Sequence, residues 1–403
     1  MNTIAPMPAP LVAADAPFDE IYLDANATTK ASVEVVSSIV ETLTLGPLNA
    51  ASAHGRGSQA RDLTVSARDS VVTLVKGCFP EGVFFTSGAT EANNIALAPM
   101  HRDEATTVLL PMVEHASVLR TAMAARRHGA DVRFLPVDRH GLLDPQTVCA
   151  EVATAKKHLL VSVQWANSET GVVQPVAAIA REIRAMRKAF IHSDAVQAVG
   201  RIPVDMAAAS LDAMSITAHK MHGPQGIGAL LLEDPDEHGL PPGMFGGDQQ
   251  RGLRPGTEPV HLAVGFGVAA LERARNFEAH SVKLAALRDL FESEVKRMMP
   301  ETDINGSAVA RVPNTSNIRF PDVDGGVLVA HLDDAGIRCS QGSACGNGRP
   351  QPSHVLLAMG LSERKATESI RFSFSVTNTE DEVLLAAETV VRTAKAHRGR
   401  TSW

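Results

Sequence analysis

The chain has few cysteines: four among 403 residues, unevenly placed at Cys78, Cys149, Cys339 and Cys345. That count and spacing exclude a secreted disulfide scaffold, so the expectation is a soluble protein of a reducing cytoplasm. No basic tract is long enough to follow a phosphate backbone, and 38 Lys and Arg against 45 Asp and Glu leave a net charge of −7. Nucleic acid is therefore not an expected partner. The longest apolar runs stop near strand length, well short of a membrane span, so no membrane is expected either. Residues 1–20, which open MNTIAPMPAPLVAADAP, have neither the positive flank nor the apolar centre of a signal peptide. They read as a loose Pro/Ala lead-in.

With 44% hydrophobic residues, a chain of this length buries a large core and divides into two domains. The expected boundaries are 21–258 for the larger and 259–403 for the smaller. Through the first of these, apolar runs alternate with amphipathic stretches. The runs 82–88, 106–111, 131–137, 158–164, 189–194 and 212–220 read as buried strands. HASVLRTAMAARRHG and VAAIAREIRAMRKA, between them, carry apolar residues at helical spacing. Such alternation predicts an α/β fold around a mainly parallel sheet, with ligands at the carboxyl ends of its strands. A long helical stretch over 258–298 follows, and then a smaller α+β pattern that includes NTSNIRF, a helix near 326–335, IRFSFSV and a final helix.

The polar motifs follow the apolar runs directly. Lys220 ends one run ahead of a Gly/Pro turn, where a lysine is either a snorkelling strand-end residue or a desolvated amine able to form a Schiff base. Asp194 ends the run AFIHSD, a strand of the same expected sheet. Gly88-Ala89-Thr90 follow a third run and open a helix, either as an ordinary capped start or as a cradle for a phosphate. A reactive lysine, a carboxylate for a pyridine nitrogen and a phosphate cradle are together what pyridoxal 5'-phosphate requires. In IRFSFSV, alternation puts Ile370, Phe372, Phe374 and Val376 on one face and Arg371, Ser373 and Ser375 on the other. Arg371 is then either a surface arginine or a fork for a carboxylate. The run CSQGSACGNGRPQP holds two cysteines six apart, without the second ligand pair that a metal site needs, so no metal is expected.

These residues stand in motifs that resemble the cysteine desulfurases of the NifS/IscS type, among the class V aminotransferases of fold-type I. YLDANATT, FTSGATEANN, EHASVL, ANSETGVVQPV, HSDAVQAVGRIPVD, AHKMHGPQGIGAL, GLRPGTEPV and GSACGNG come in that family's order over about nine-tenths of the chain. The resemblance implies a large domain with a seven-stranded sheet and a small C-terminal domain carrying a catalytic cysteine loop. It implies that Lys220 bears pyridoxal phosphate, that Asp194 pairs with the ring nitrogen and that Gln197 bonds the ring oxygen. His115, otherwise a cap or core histidine, would stack on the ring and help move protons. Ala89, Thr90, Thr217 and His219 would bind the phosphate. Thr257 would reach the phosphate of a neighbouring subunit, which implies a homodimer.

Arg371 would anchor the substrate carboxylate. The asparagine that usually assists falls at Ser168, with Asn167 as the remaining neighbour, and Asn26 is displaced by one from the family's usual pattern. Cys345 stands at the position of the nucleophile, and Cys339, ending AGIRC, reads as the last residue of a buried strand. The implied reaction converts L-cysteine to L-alanine and leaves a persulfide on Cys345 for a sulfur-acceptor protein, an iron–sulfur scaffold among the candidates. The competing readings are another aminotransferase or lyase of this fold, and a catalytically weakened sulfur-carrier subunit.

Overall fold

The computed structural model describes residues 20–101, 106–236, 240–342 and 352–399. Cys345, the expected nucleophile, lies outside the described residues. Its twelve described strands are β1 Ile21–Tyr22, β2 Val83–Thr86, β3 Thr106–Pro111, β4 Asp131–Leu135, β5 His158–Ser162, β6 Phe190–Asp194, β7 Ala213–Thr217, β8 Gly228–Leu232, β9 Asp303–Ile304, β10 Thr315–Arg319, β11 Ile337–Arg338 and β12 Ser369–Ser373. Seven of them form one sheet in the order β2-β8-β7-β6-β5-β3-β4. Only β8 runs against its neighbours, antiparallel to both β7 and β2. The sheet is thus mainly parallel, as the alternation of runs and helices predicts.

Helices cover both faces because the central strands are apolar on both sides; β3, β7 and β8 are buried throughout. Below one face, the helix Val176–Met186 packs Ile179, Ala180 and Ile183 into the same core as Val161 and Ile191. Above the other, Val118, Ala122 and Ala125 of the helix Ala116–Arg127 meet Val108 and Leu110. Each fully buried Val, Leu or Ile among these stabilises the fold by roughly 1.5–3 kcal/mol.

A second core surrounds the three-stranded sheet β12-β10-β9. There Phe372 and Phe374 of IRFSFSV pack on Phe291, with ring centroids 4.7 and 5.5 Å apart. The helix Glu380–His397 that closes this core begins with a reciprocal cap between Thr379 and Glu382. The short strand β1 pairs in parallel with β11, so the start of the described chain is tied to its C-terminal part.

Three expectations need correction. The run 212–220 is strand only to Thr217, because residues 218–220 tighten into a single 3₁₀ turn. The helical stretch 258–298 is two helices, Val260–Arg275 and Phe277–Met298. Asn276 separates them, its side-chain amide donating to the Glu272 carbonyl at 3.0 Å and so competing with the helix ladder. Cys339 follows β11 rather than ending it, and packs half-buried against the second core. Among the described residues no helix is long and apolar enough to cross a membrane.

Candidate active site

The carboxyl ends of β2, β3, β5, β6 and β7 open onto one cavity of about 620 Å³, a size suited to a cofactor-sized ligand. Lys220, Asp194, His115, Gln197, Thr217, His219, Ala89, Thr90, Ser168 and Arg371 all line it. Residues drawn from both halves of the chain therefore converge on one space. Thr257 does not: it is exposed and outside this lining. Nor does Asn167, whose side chain is consumed in closing its own turn. Its Oδ1 accepts from the N–H groups of Glu169 and Thr170, both at 2.9 Å, and its Nδ2 donates to the Val113 carbonyl at 3.1 Å. Asn167 is thus buried in its own turn and is not placed on the cavity wall.

At the mouth of β2, Gly88 is the N-cap of the helix Ala89–Leu97, with no side chain bonded over the first turn. The first N–H groups of that helix are left to face an anion, together with the positive end of the helix dipole. The turn lies directly on β8. A Cβ at Gly228 would stand 2.8 Å from both Gly88 Cα and its carbonyl carbon, so only glycine admits this approach. Glu91 in the first helical turn is held ionised by Arg254, 2.9 Å away, so its charge is matched beside the cradle.

Asp194, the last residue of β6, is oriented by two donors. Asn93 Nδ2 reaches its Oδ2 at 2.8 Å, and the Val196 N–H reaches Oδ1 at 3.1 Å. His115 is both a cap and a cavity residue: its Nδ1 accepts the Ser117 N–H at 3.2 Å. That bond leaves the proton of the neutral ring on Nε2. Burial pulls its pKa down, with Asp194 acting in the opposite sense.

Lys220 Nζ donates to the carbonyls of Asn26 and Ala27 at 2.5 and 2.6 Å. Burial brings its amine down to about 7, helped by the guanidinium groups of Arg201 and Arg371. It is therefore a partly neutral amine at physiological pH, where a solvated lysine would be fully charged. His219 is pulled to about 4, chiefly by burial, and its Nδ1 lies 3.1 Å from Thr28 Oγ1.

Arg371 is no surface residue. It is buried on β12, pairs with Asp24 at 2.6 Å and donates from NH1 to the Ser168 carbonyl at 3.1 Å. Among the described residues its buried Nε has no partner, an unfilled donor on a cationic fork at the cavity wall. The Ser168 carbonyl also accepts Asn26 Nδ2 at 3.1 Å.

The remaining cysteines are unsuited to nucleophilic work. Burial pushes the thiols of Cys78 and Cys339 up to about 12, and burial raises that of Cys149 as well. These three described cysteines are free thiols. Sequence reasoning missed Asn93, Asp24 and Arg201. Asn93 was visible only as a helical step of three from Thr90, on the same face of a helix opening at the site.

A family model described as aminotransferase class-V matches residues 21–385. A cysteine desulfurase of Trichormus azollae is 38% identical over 365 residues, 90% of each chain. Cysteine desulfurase IscS of Neisseria meningitidis is 37% identical over 374 residues, 92% of this chain and 91% of its own. Among solved structures, a NifS-like protein from Rickettsia africae superposes with a TM-score of 0.82 at 32% identity, covering 93% of this chain and all of the other.

Proposed function

The chain belongs to the class V aminotransferase family, and we infer that it is a pyridoxal phosphate-dependent cysteine desulfurase. The likeness to curated cysteine desulfurases over nine-tenths of the chain carries this reading. The cavity residues fit the cofactor: an uncapped helix start for the phosphate, an oriented carboxylate at Asp194 and a depressed amine at Lys220. When bound, pyridoxal phosphate supplies an electron sink for the substrate carbon from which a proton is removed.

The residues around it then do the following. Lys220 holds the cofactor and, once its amine is free, takes and returns the proton at the α-carbon. With the cofactor in place, Asp194 would keep the ring nitrogen protonated, Gln197 would donate to the ring oxygen and His115 would lie against the ring. Ala89, Thr90, Thr217 and His219 would hold the phosphate. Arg371 binds the carboxylate of L-cysteine, with the main chain at Ser168 fixing the guanidinium. The Cys345 thiolate attacks the substrate sulfur. The new S–S bond forms as the substrate C–S bond breaks, the electron pair stays with carbon, and protonation there completes L-alanine. The persulfide on Cys345 is handed to an acceptor protein, with an iron–sulfur scaffold as the expected class. The working unit is a cytoplasmic homodimer in which Thr257 serves the neighbouring subunit's phosphate. Within each chain, residues 21–258 bind the cofactor and residues 259–403 carry the cysteine loop.

Supplied with pyridoxal phosphate and L-cysteine, the purified protein should be yellow and should form alanine, with sulfide released when a reductant is present. A protein that takes up no cofactor, or that converts cysteine to pyruvate, contradicts the reading. Arg371→Ala should raise KM for cysteine on the order of a hundredfold, because a buried charge-assisted fork is lost. Arg371→Lys should recover little, since an ammonium cannot serve Asp24, Ser168 and the substrate together. Steady-state kinetics of both variants check this.

A further inference from the structure

Arg201 is a buried cation that no acid among the described residues balances. It is 3% exposed, and among the described residues it makes no ion pair with a carboxylate. Its neighbours Arg273 and Arg371 add like charge. The carboxylates around the site are already engaged, Asp24 by Arg371, Glu91 by Arg254 and Asp194 by Asn93. An uncompensated guanidinium is costly to bury, and an apolar side chain would fill the space without that cost. Among the described residues no anion offsets it.

The hydrogen bonds show where an anion would act. Arg201 NH1 donates to both the main-chain and side-chain oxygens of Gln197, one turn earlier. With its Oε1 turned to the guanidinium, the Gln197 amide has its NH₂ facing the opposite way, where it donates to the Asn26 carbonyl at 3.2 Å. Lys220 Nζ donates to that same carbonyl. A single hydrogen-bonded line thus runs from Arg201 through Gln197 and Asn26 to Lys220. Ser281 Oγ, 3.0 Å from the Arg201 carbonyl, ties the backbone there to the helix Phe277–Met298.

We propose that Arg201 is a positioning residue of the active site: it fixes the Gln197 amide with its NH₂ toward the cavity, and supplies the buried positive charge for an anionic ring oxygen of the bound cofactor. The proposal rests on the cofactor reading given above. The Lys220 amine feels the same charge, since among the charged neighbours Arg201 acts most strongly to lower its pKa, ahead of Arg371 and against Asp24 and Asp194. His115 and His219 also face this amine, each with its own pKa lowered chiefly by burial.

The test uses the cofactor-free protein and free pyridoxal as the probe. Borohydride trapping followed by peptide mapping gives the fraction of Lys220 labelled at each pH. In the wild-type chain the midpoint should lie near 7, the value set by burial and the two guanidinium groups. Arg201→Met and Arg201→Gln should each move it upward by about one pH unit or more. Arg201→Lys, which restores the charge, should bring it back. Arg201→Gln keeps an amide donor for Gln197, so it carries the test where the methionine variant does not fold. A folded Met or Gln variant that titrates with the wild-type midpoint overturns the proposal and leaves the cofactor reading intact. Absence of Lys220 labelling in the wild-type chain overturns both.

Discussion

Lys220→Ala should lose the yellow cofactor colour that survives dialysis of the wild-type protein, and its turnover of cysteine should fall by roughly a thousandfold or more. Two losses combine. The covalent hold on the cofactor disappears, and so does the amine that moves the α-proton, a contribution worth about 10²–10⁴ by itself. The variant should still fold, because the side chain contributes little packing beyond its two bonds to the Asn26 and Ala27 carbonyls. Stability should respond to pH in a defined direction. The folded-state pKa of Lys220, about 7, lies below the roughly 10.4 of an unfolded lysine. Between those values the unfolded chain binds more protons, so the cofactor-free protein gains stability as pH rises through that window. Lys220→Ala should lack that gain. Denaturant titrations of both chains at pH 7 and pH 9 measure it, and equal slopes would contradict the assignment.

Cys345→Ala should keep the colour and bind cysteine, yet release sulfide at a rate lower by about a thousandfold or more, since the nucleophile itself is removed. No other described cysteine can take over. Cys78 and Cys339 hold their protons to about 12 through burial, and Cys149 is also raised by burial. A Cys345→Ala protein that desulfurates normally would favour the lyase reading, in which the sulfur leaves without attack by a thiol. Cys339→Ala serves as the control and should leave activity near wild type.

Much of this site is legible in the sequence because Asp194 and Lys220 stand at or just past the ends of apolar runs. Both are placed by the rule that ligands gather at strand carboxyl ends. Arg371 follows from the alternation of IRFSFSV, whose other face is the Phe291 core. What stays hidden is pairing over distance. Asp24 and Arg371 stand 347 residues apart, and Asn26 and Lys220 stand 194 apart, so no local pattern joins them. Arg201 follows a Gly inside a motif and looks like a surface residue; it is buried, with its carbonyl bonded by Ser281, 80 residues away in the sequence. The antiparallel β8 is hidden for a different reason. GALLL is short and apolar on both faces, which fixes neither its direction nor its place between β2 and β7.

The most direct measurement is a single turnover: the cofactor-loaded protein mixed with an equivalent of L-cysteine, without reductant, then quenched and mapped by mass spectrometry. The account predicts one alanine for each cysteine consumed and a mass increase of one sulfur atom on the peptide that contains Cys345. Cysteine consumed with no added sulfur on that peptide, or with the added sulfur on Cys339, would contradict it.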